Sequence, residues 1–92
     1  MAGFKVFLTQ NFSEKLSEHE KDFQQWAQKI FGQLSINPFV GKPLGTRWLR
    51  EKKFGKHRIY YLISEEFRLA YVVDMSEKKD QQKTIDTIRF RS

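Results

Sequence analysis

Ninety-two residues, 39% of them apolar and 30% charged, match the size and composition of one small globular domain, 1–92. The absence of cysteine excludes a disulfide framework, a thiolate metal site and a cysteine nucleophile. Basic residues outnumber acidic ones 17 to 11, for a net charge of +6. That excess sits in residues 42–58, which hold seven basic side chains (Lys42, Arg47, Arg50, Lys52, Lys53, Lys56, Arg58) and one acidic, Glu51. Charge so concentrated is the footprint of a polyanion surface, with nucleic acid the leading partner; the plainer reading is a strand edge guarded by lysines. The start, Met1-Ala2-Gly3-Phe4-Lys5, lacks the basic opening and apolar run of a secretory signal. No stretch approaches the roughly 18 apolar residues of a membrane span. The cytoplasm is the expected location, with no membrane partner.

In chain order, Phe4 to Leu8 is rich in Phe and Val and predicts a first strand. Asn11 and Ser13 offer caps for a short helix that brings Phe12 and Leu16 to one face. Ser17-Glu-His-Glu20 has the form of a capping box, so a second helix is expected from there to about Leu34. Its apolar positions Phe23, Trp26, Ala27, Ile30, Phe31 and Leu34 recur at three and four, which reads as core packing rather than a cofactor stripe. Asn37-Pro38 ends it, because proline disfavours helical geometry at the residue before. Gly41-Lys42-Pro43-Leu44-Gly45 lacks the spacing of a phosphate-binding loop and reads as a connector.

Extended structure follows. A strand over 47–53, a turn at Phe54-Gly55-Lys56 and a strand over 57–64 form one hairpin. Ser64-Glu65-Glu66 turns into a strand over 67–75, whose apolar face is expected to be Leu69, Tyr71, Val73 and Met75. A last helix is expected from Glu77 to about Ile88, with Ser76 as its N-cap and Ile85 and Ile88 inward. The order β-α-α-β-β-β-α describes an α+β domain, a small antiparallel sheet with helices packed on one face.

Catalytic options are few. His19 and His57 are the only histidines and neither has carboxylates at ligand spacing, so no metal is expected. No Gly-x-Ser-x-Gly supports a serine nucleophile. The basic cluster is different. Arg58 should face away from Ile59, Tyr61 and Ile63, with Arg50, Lys52 and Lys53 on the next strand and Lys78 and Lys79 beyond the third. Such groups can bind phosphates and stabilise a pentavalent phosphorane, as in metal-free RNA cleavage by a 2′-hydroxyl. They support simple adhesion to phosphates equally well.

Three segments carry a resemblance: Asn37-Pro38 with Gly41-Lys42-Pro43-Leu44, then Phe54-Gly55-Lys56-His57-Arg58-Ile59-Tyr60-Tyr61-Leu62-Ile63, then the hairpin to Asp74-Met75. Over nearly its whole length the chain resembles the RelE/ParE superfamily of toxins from type II toxin–antitoxin systems, whose fold has the same element order. The central segment is similar to the family's Gly-x-Tyr-Arg-x-x-Tyr strand. Ser76-Glu77-Lys78-Lys79-Asp80 stands where many members have Gly-His-Arg-Lys, Gln82 stands where a tyrosine is expected, and residues 84–92 hold no tyrosine.

The resemblance implies a ribosome-dependent mRNA endoribonuclease without a cofactor, partnered by mRNA, the ribosome and a RelB-like antitoxin that covers the basic groove. Carried over by position, Arg58 steadies the scissile phosphate, Lys52 or Arg50 supplies the second-strand base, and Lys78 replaces a later arginine. Lys42, Arg47, Lys53, Lys56, His57 and Lys79 are expected to hold nucleic acid. The alternatives are a ParE-like inhibitor of DNA gyrase acting through protein contacts, and a non-catalytic RNA-binding module.

Overall fold

The computed structural model describes residues 3–91. Strand β1 (Lys5–Leu8) leads into helices α1 (Gln10–Ser17) and α2 (Lys21–Ile36). A 3-10 turn (Pro38–Val40) and a two-residue strand β2 (Lys42–Pro43) precede β3 (Leu49–Phe54), β4 (His57–Ser64) and β5 (Leu69–Glu77). A second 3-10 turn (Lys78–Asp80) enters α3 (Gln81–Arg91). The strands form one sheet in the order β1-β5-β4-β3-β2, in which β1 runs parallel to β5 and all other neighbours are antiparallel. The domain is α+β, as the pattern predicts, but the sheet is mixed and the connector at 42–43 is a short strand.

The helices also differ in placement. Phe12, Phe23, Ala27, Ile30 and Leu34 of α1 and α2 pack on Ile59, Tyr61, Ile63, Ala70, Val72 and Met75. On the opposite face, Ile85 and Ile88 of α3 pack on Leu49 and Tyr60. The sheet is therefore covered on both sides rather than one. The run Ile59-Tyr60-Tyr61-Leu62-Ile63 is apolar at every position, and a strand of that kind buries both of its faces.

Local signals explain the shifted boundaries. Thr9 rather than Asn11 or Ser13 caps α1, its Oγ1 accepting from Phe12 N at 3.2 Å. Ser17 closes no capping box: its hydroxyl donates to Glu14 O within α1, and α2 starts after Glu20 with no side-chain cap. A β-bulge interrupts β5, where Tyr60 lies opposite Asp74 but Tyr61 lies opposite Val72. Val73 is the extra residue, so the alternation slips there. Ala70, Val72 and Met75 form the core face, whereas Tyr71 is exposed and stacks on Phe7 at 5.7 Å. Beyond the bulge β5 continues to Glu77, which makes Ser76 a strand residue instead of a helix cap.

Tyr61 ties the α2 exit to the sheet. Its hydroxyl donates to Pro38 O at 2.6 Å and accepts from Gly41 N at 2.9 Å. Gly41 has to be glycine here, since a Cβ would meet both that hydroxyl and Glu51 O. Tyr61→Phe leaves two buried backbone groups without a partner, at a cost of about 2 kcal/mol or roughly 10 °C in Tm; thermal unfolding by circular dichroism measures it. Burial raises the Tyr60 and Tyr61 phenols above their ordinary value. The unfolded chain then loses those protons first as pH rises past about 10, so stability falls above that pH. Urea midpoints across the alkaline range should show that fall, and a shallower one in Tyr61→Phe.

Candidate functional site

The two-residue turn at Gly55-Lys56 has a positive φ only at Gly55 (59°), the pattern of a type II′ hairpin. It sets Lys53 opposite Arg58, Lys52 opposite Ile59, Glu51 opposite Tyr60 and Arg50 opposite Tyr61. Residues opposite one another share a face. Across β4 and β5, Ser76 lies opposite Arg58 and Asp74 opposite Tyr60. The α3 face of the sheet thus carries two rows of three, Lys53–Arg58–Ser76 and Glu51–Tyr60–Asp74.

Arg58 is 5% exposed and Glu51 2%, and Arg58 Nε lies 3.8 Å from Glu51 Oε1. Gln81 Nε2 donates to the same oxygen at 2.6 Å. Arg58 Nη1 makes long contacts to the Gly55 and His57 carbonyls, 3.5 and 3.4 Å, and Nε has no hydrogen-bond partner among the described residues. The guanidinium is therefore held against a carboxylate with donors to spare. Ser76 Oγ donates to Glu77 O at 3.1 Å, so the Tyr60 phenol, 2.8 Å away, donates to Ser76. Burial raises that phenol, with Glu51 and Asp74 adding to the shift and Ser76 and Arg58 opposing it. Asp74 accepts from Lys15 Nζ at 2.6 Å and from Met75 N at 2.7 Å.

Residues 78–81 close over these rows, anchored by Lys78 N donating to Lys56 O at 2.7 Å and by the Gln81–Glu51 bond. A polar cleft of about 430 Å³ opens beside them between α1 and α3, lined by Asn11, Lys15, Ser76, Lys83 and Thr84 among others.

The other expected site residues scatter. Arg50 and Lys52 share the face of Tyr61 and Ile59, so they do not gather with Arg58 as the sequence reading expects. The reason is the period of two along β3, which turns Glu51 and Lys53, not Arg50 and Lys52, toward Arg58. Arg50 is occupied: it donates to the Arg47, Phe39 and Gly41 carbonyls at 2.8, 3.0 and 2.7 Å and lies over the Phe39 ring. Arg47 lies over Phe39 and Trp48 and pairs with Glu65 at 3.3 Å. Lys56 pairs with Glu77 at 3.6 Å, and the His57 ring packs against His19 and Phe23. Lys42, Lys53, Lys78 and Lys79 are exposed. Among the described residues no three His, Cys, Asp or Glu side chains stand together as metal ligands.

Sequence reasoning missed Glu51, Tyr60, Ser76 and Gln81. A signal for Glu51 was present: counting back from a two-residue turn at Gly55-Lys56 pairs Arg58 with Lys53 and so turns Glu51 to the same face. Gln81 had none, because the length of the turn after β5 is not written in residue types.

No family model and no curated protein matches the sequence. Solved structures do. A doubly substituted E. coli toxin RelE in its free state aligns with a TM-score of 0.79 at 13% identity, covering 97% of each chain. The archaeal RelE–RelB complex from Pyrococcus horikoshii gives 0.71 at 15% identity over 84% of this chain and 96% of that one. The toxin–antitoxin complex RelBE2 from Mycobacterium tuberculosis gives 0.69 at 23% identity, over 84% and 93%. The fold is that of RelE.

On this RelE fold, a buried ion pair without a direct hydrogen bond is costly to break from one side. Glu51→Ala should cost about 3–5 kcal/mol in urea unfolding, because it strands the Arg58 charge. Lys52→Ala, on the other face and half-buried, should stay within about 0.5 kcal/mol.

Proposed function

We propose that the chain is the toxin of a type II toxin–antitoxin system, a metal-free endoribonuclease that cuts mRNA on the ribosome in the cytoplasm and is neutralised by a RelB-like antitoxin. The fold shared with RelE, solved in complexes with RelB, and the basic window at 42–58 support this reading. The observation that carries it is Arg58: a buried guanidinium with an unpaired Nε beside the Glu51 carboxylate. A buried donor that makes no hydrogen bond requires an explanation, and room for a second anionic group beside the Glu51–Arg58 ion pair is one.

In this reading a phosphate enters between Arg58 and residues 78–81, breaking the Gln81–Glu51 bond. Glu51, freed, takes the proton of the 2′-hydroxyl as general base. The 2′-oxygen attacks the adjacent phosphorus, and Arg58 and Lys53 neutralise the phosphorane. Lys78 and Lys79, on the closing turn, hold the flanking phosphates together with Lys42, which lies opposite Glu51, whereas Arg47, Lys56 and His57 are engaged by Glu65, Glu77 and Phe23 and add only charge or packing. Lys52 lies on the far face and takes part through charge alone. Arg50 serves the 39–41 loop.

Primer extension on an mRNA in a cell-free translation reaction tests the proposal. Purified protein should give ribosome-dependent cuts at codon-spaced positions, and Glu51→Gln, which still accepts from Gln81, should slow them about 100-fold or more. Lys52→Ala should change little. Undiminished cutting by Glu51→Gln would remove the base assignment. Intact mRNA would remove the nuclease reading, and inhibition of gyrase supercoiling would put the ParE-like one in its place.

A further inference from the structure

Tyr60 is an ionisable group of the α3 face that the scheme above does not use. β4 carries it two residues from Arg58, between Glu51 on one neighbouring strand and Asp74 on the other. It is fully buried, yet its hydroxyl does not go to a backbone carbonyl as that of Tyr61 does. It donates to Ser76 Oγ, and Ser76 both faces Arg58 across the strands and lines the polar cleft between α1 and α3. A proton donor therefore stands in the same two rows as a cation and a carboxylate, one hydroxyl away from an open cleft.

We propose that Tyr60 is the general acid of the cleavage, its phenol protonating the departing 5′-oxygen once residues 78–81 have lifted, with Ser76 holding the phenol in line. The assignment rests on the endoribonuclease reading. In the step, the 2′-oxygen forms its bond to phosphorus as its proton passes to the Glu51 carboxylate. The bond from phosphorus to the 5′-oxygen breaks, the electron pair stays on that oxygen, and the phenolic proton of Tyr60 goes to it. The products are a 2′,3′-cyclic phosphate and a 5′-hydroxyl; the phenolate and the protonated Glu51 return to their starting forms by proton exchange with water. Burial favours the neutral phenol, the form the step consumes.

The test compares two synthetic mRNAs in the ribosome-containing reaction, identical except that sulfur replaces the scissile 5′-oxygen in one. A thiolate leaves without protonation, so a variant lacking only the acid recovers on the sulfur substrate. Tyr60→Phe should cut the oxygen mRNA about 100-fold or more slowly than the parent chain and the sulfur mRNA at close to the parent's rate. Glu51→Gln, lacking the base, should be slow on both. Ser76→Ala should show a smaller loss on oxygen, again restored by sulfur, and carries the test if Tyr60→Phe unfolds. Undiminished oxygen cleavage by Tyr60→Phe overturns the assignment, and so does an equal loss on both substrates, the mark of a structural role. A parent chain that cuts neither mRNA instead removes the endoribonuclease reading, and this assignment with it.

Discussion

With Gly55 in the left-handed region, the β3–β4 hairpin closes in two residues, and every cross-strand pair at the centre of the sheet follows from that closure. One residue more in the turn would set Lys52 opposite Arg58 and Glu51 opposite Ile59. The carboxylate would then enter the core between the sheet and α2, where an unpaired charge is heavily penalised. The observed register instead puts Leu49 opposite Leu62 and keeps Glu51 beside Arg58. Turn geometry and the apolar pattern specify the same register, which is why it is unambiguous. The site is a by-product of that agreement: the rows of charge on the α3 face exist because the apolar residues on the other face are in step.

The Glu51–Arg58 pair is poorly suited to stabilising the fold. Two charges are withdrawn from water, and at 3.8 Å without a hydrogen bond at Nε they recover less than a bidentate pair would. Gln81 satisfies the carboxylate but nothing comparable satisfies the guanidinium. Arg50 shows what a structural arginine looks like in the same hairpin, with three carbonyls and a ring around it. Two arginines eight residues apart thus differ in their surroundings: Arg50 is enclosed by acceptors and a ring, whereas Arg58 has one carboxylate at 3.8 Å and two long carbonyl contacts.

Much of this was legible in the sequence because residue type and periodicity agreed with the tertiary structure. The strand over 57–64 is observed at those bounds, and the stripe from Phe23 to Leu34 lies on the core face of α2. The RelE-like fold followed from the order of the segments around Arg58. What failed to show has physical reasons. The bulge at Val73 has no signature, since the residue is as good a strand former as its neighbours, and it reversed the expected faces of Leu69, Tyr71 and Val73. The capping box at Ser17 lost to the continuation of α1, because a local motif yields when the helix before it runs on. The placement of α3 required seeing that the large Tyr60 ring, on the face opposite Ile59 and Tyr61, needs its own cover.

The charge window changes meaning once its members are placed. Arg58 is buried, Arg50 and Arg47 are spent on Phe39 and nearby carbonyls or carboxylates, and Lys56 shares its charge with Glu77. Lys42, Lys52 and Lys53 remain, and they point to different sides of the hairpin. A polyanion therefore meets positive charge around the β3–β4 ribbon rather than on one flat face. At physiological salt exposed charges act over only about 8 Å, so those on opposite faces of the ribbon steer independently. Among the described residues of the hairpin, the α3 face carries a carboxylate, a phenol and a guanidinium in adjacent rows. Lys42 and Lys53 share the face of Glu51 and Arg58, Lys52 takes the other, and the turn at 78–81, tied down by the Gln81–Glu51 bond, brings Lys78 and Lys79 beside the first.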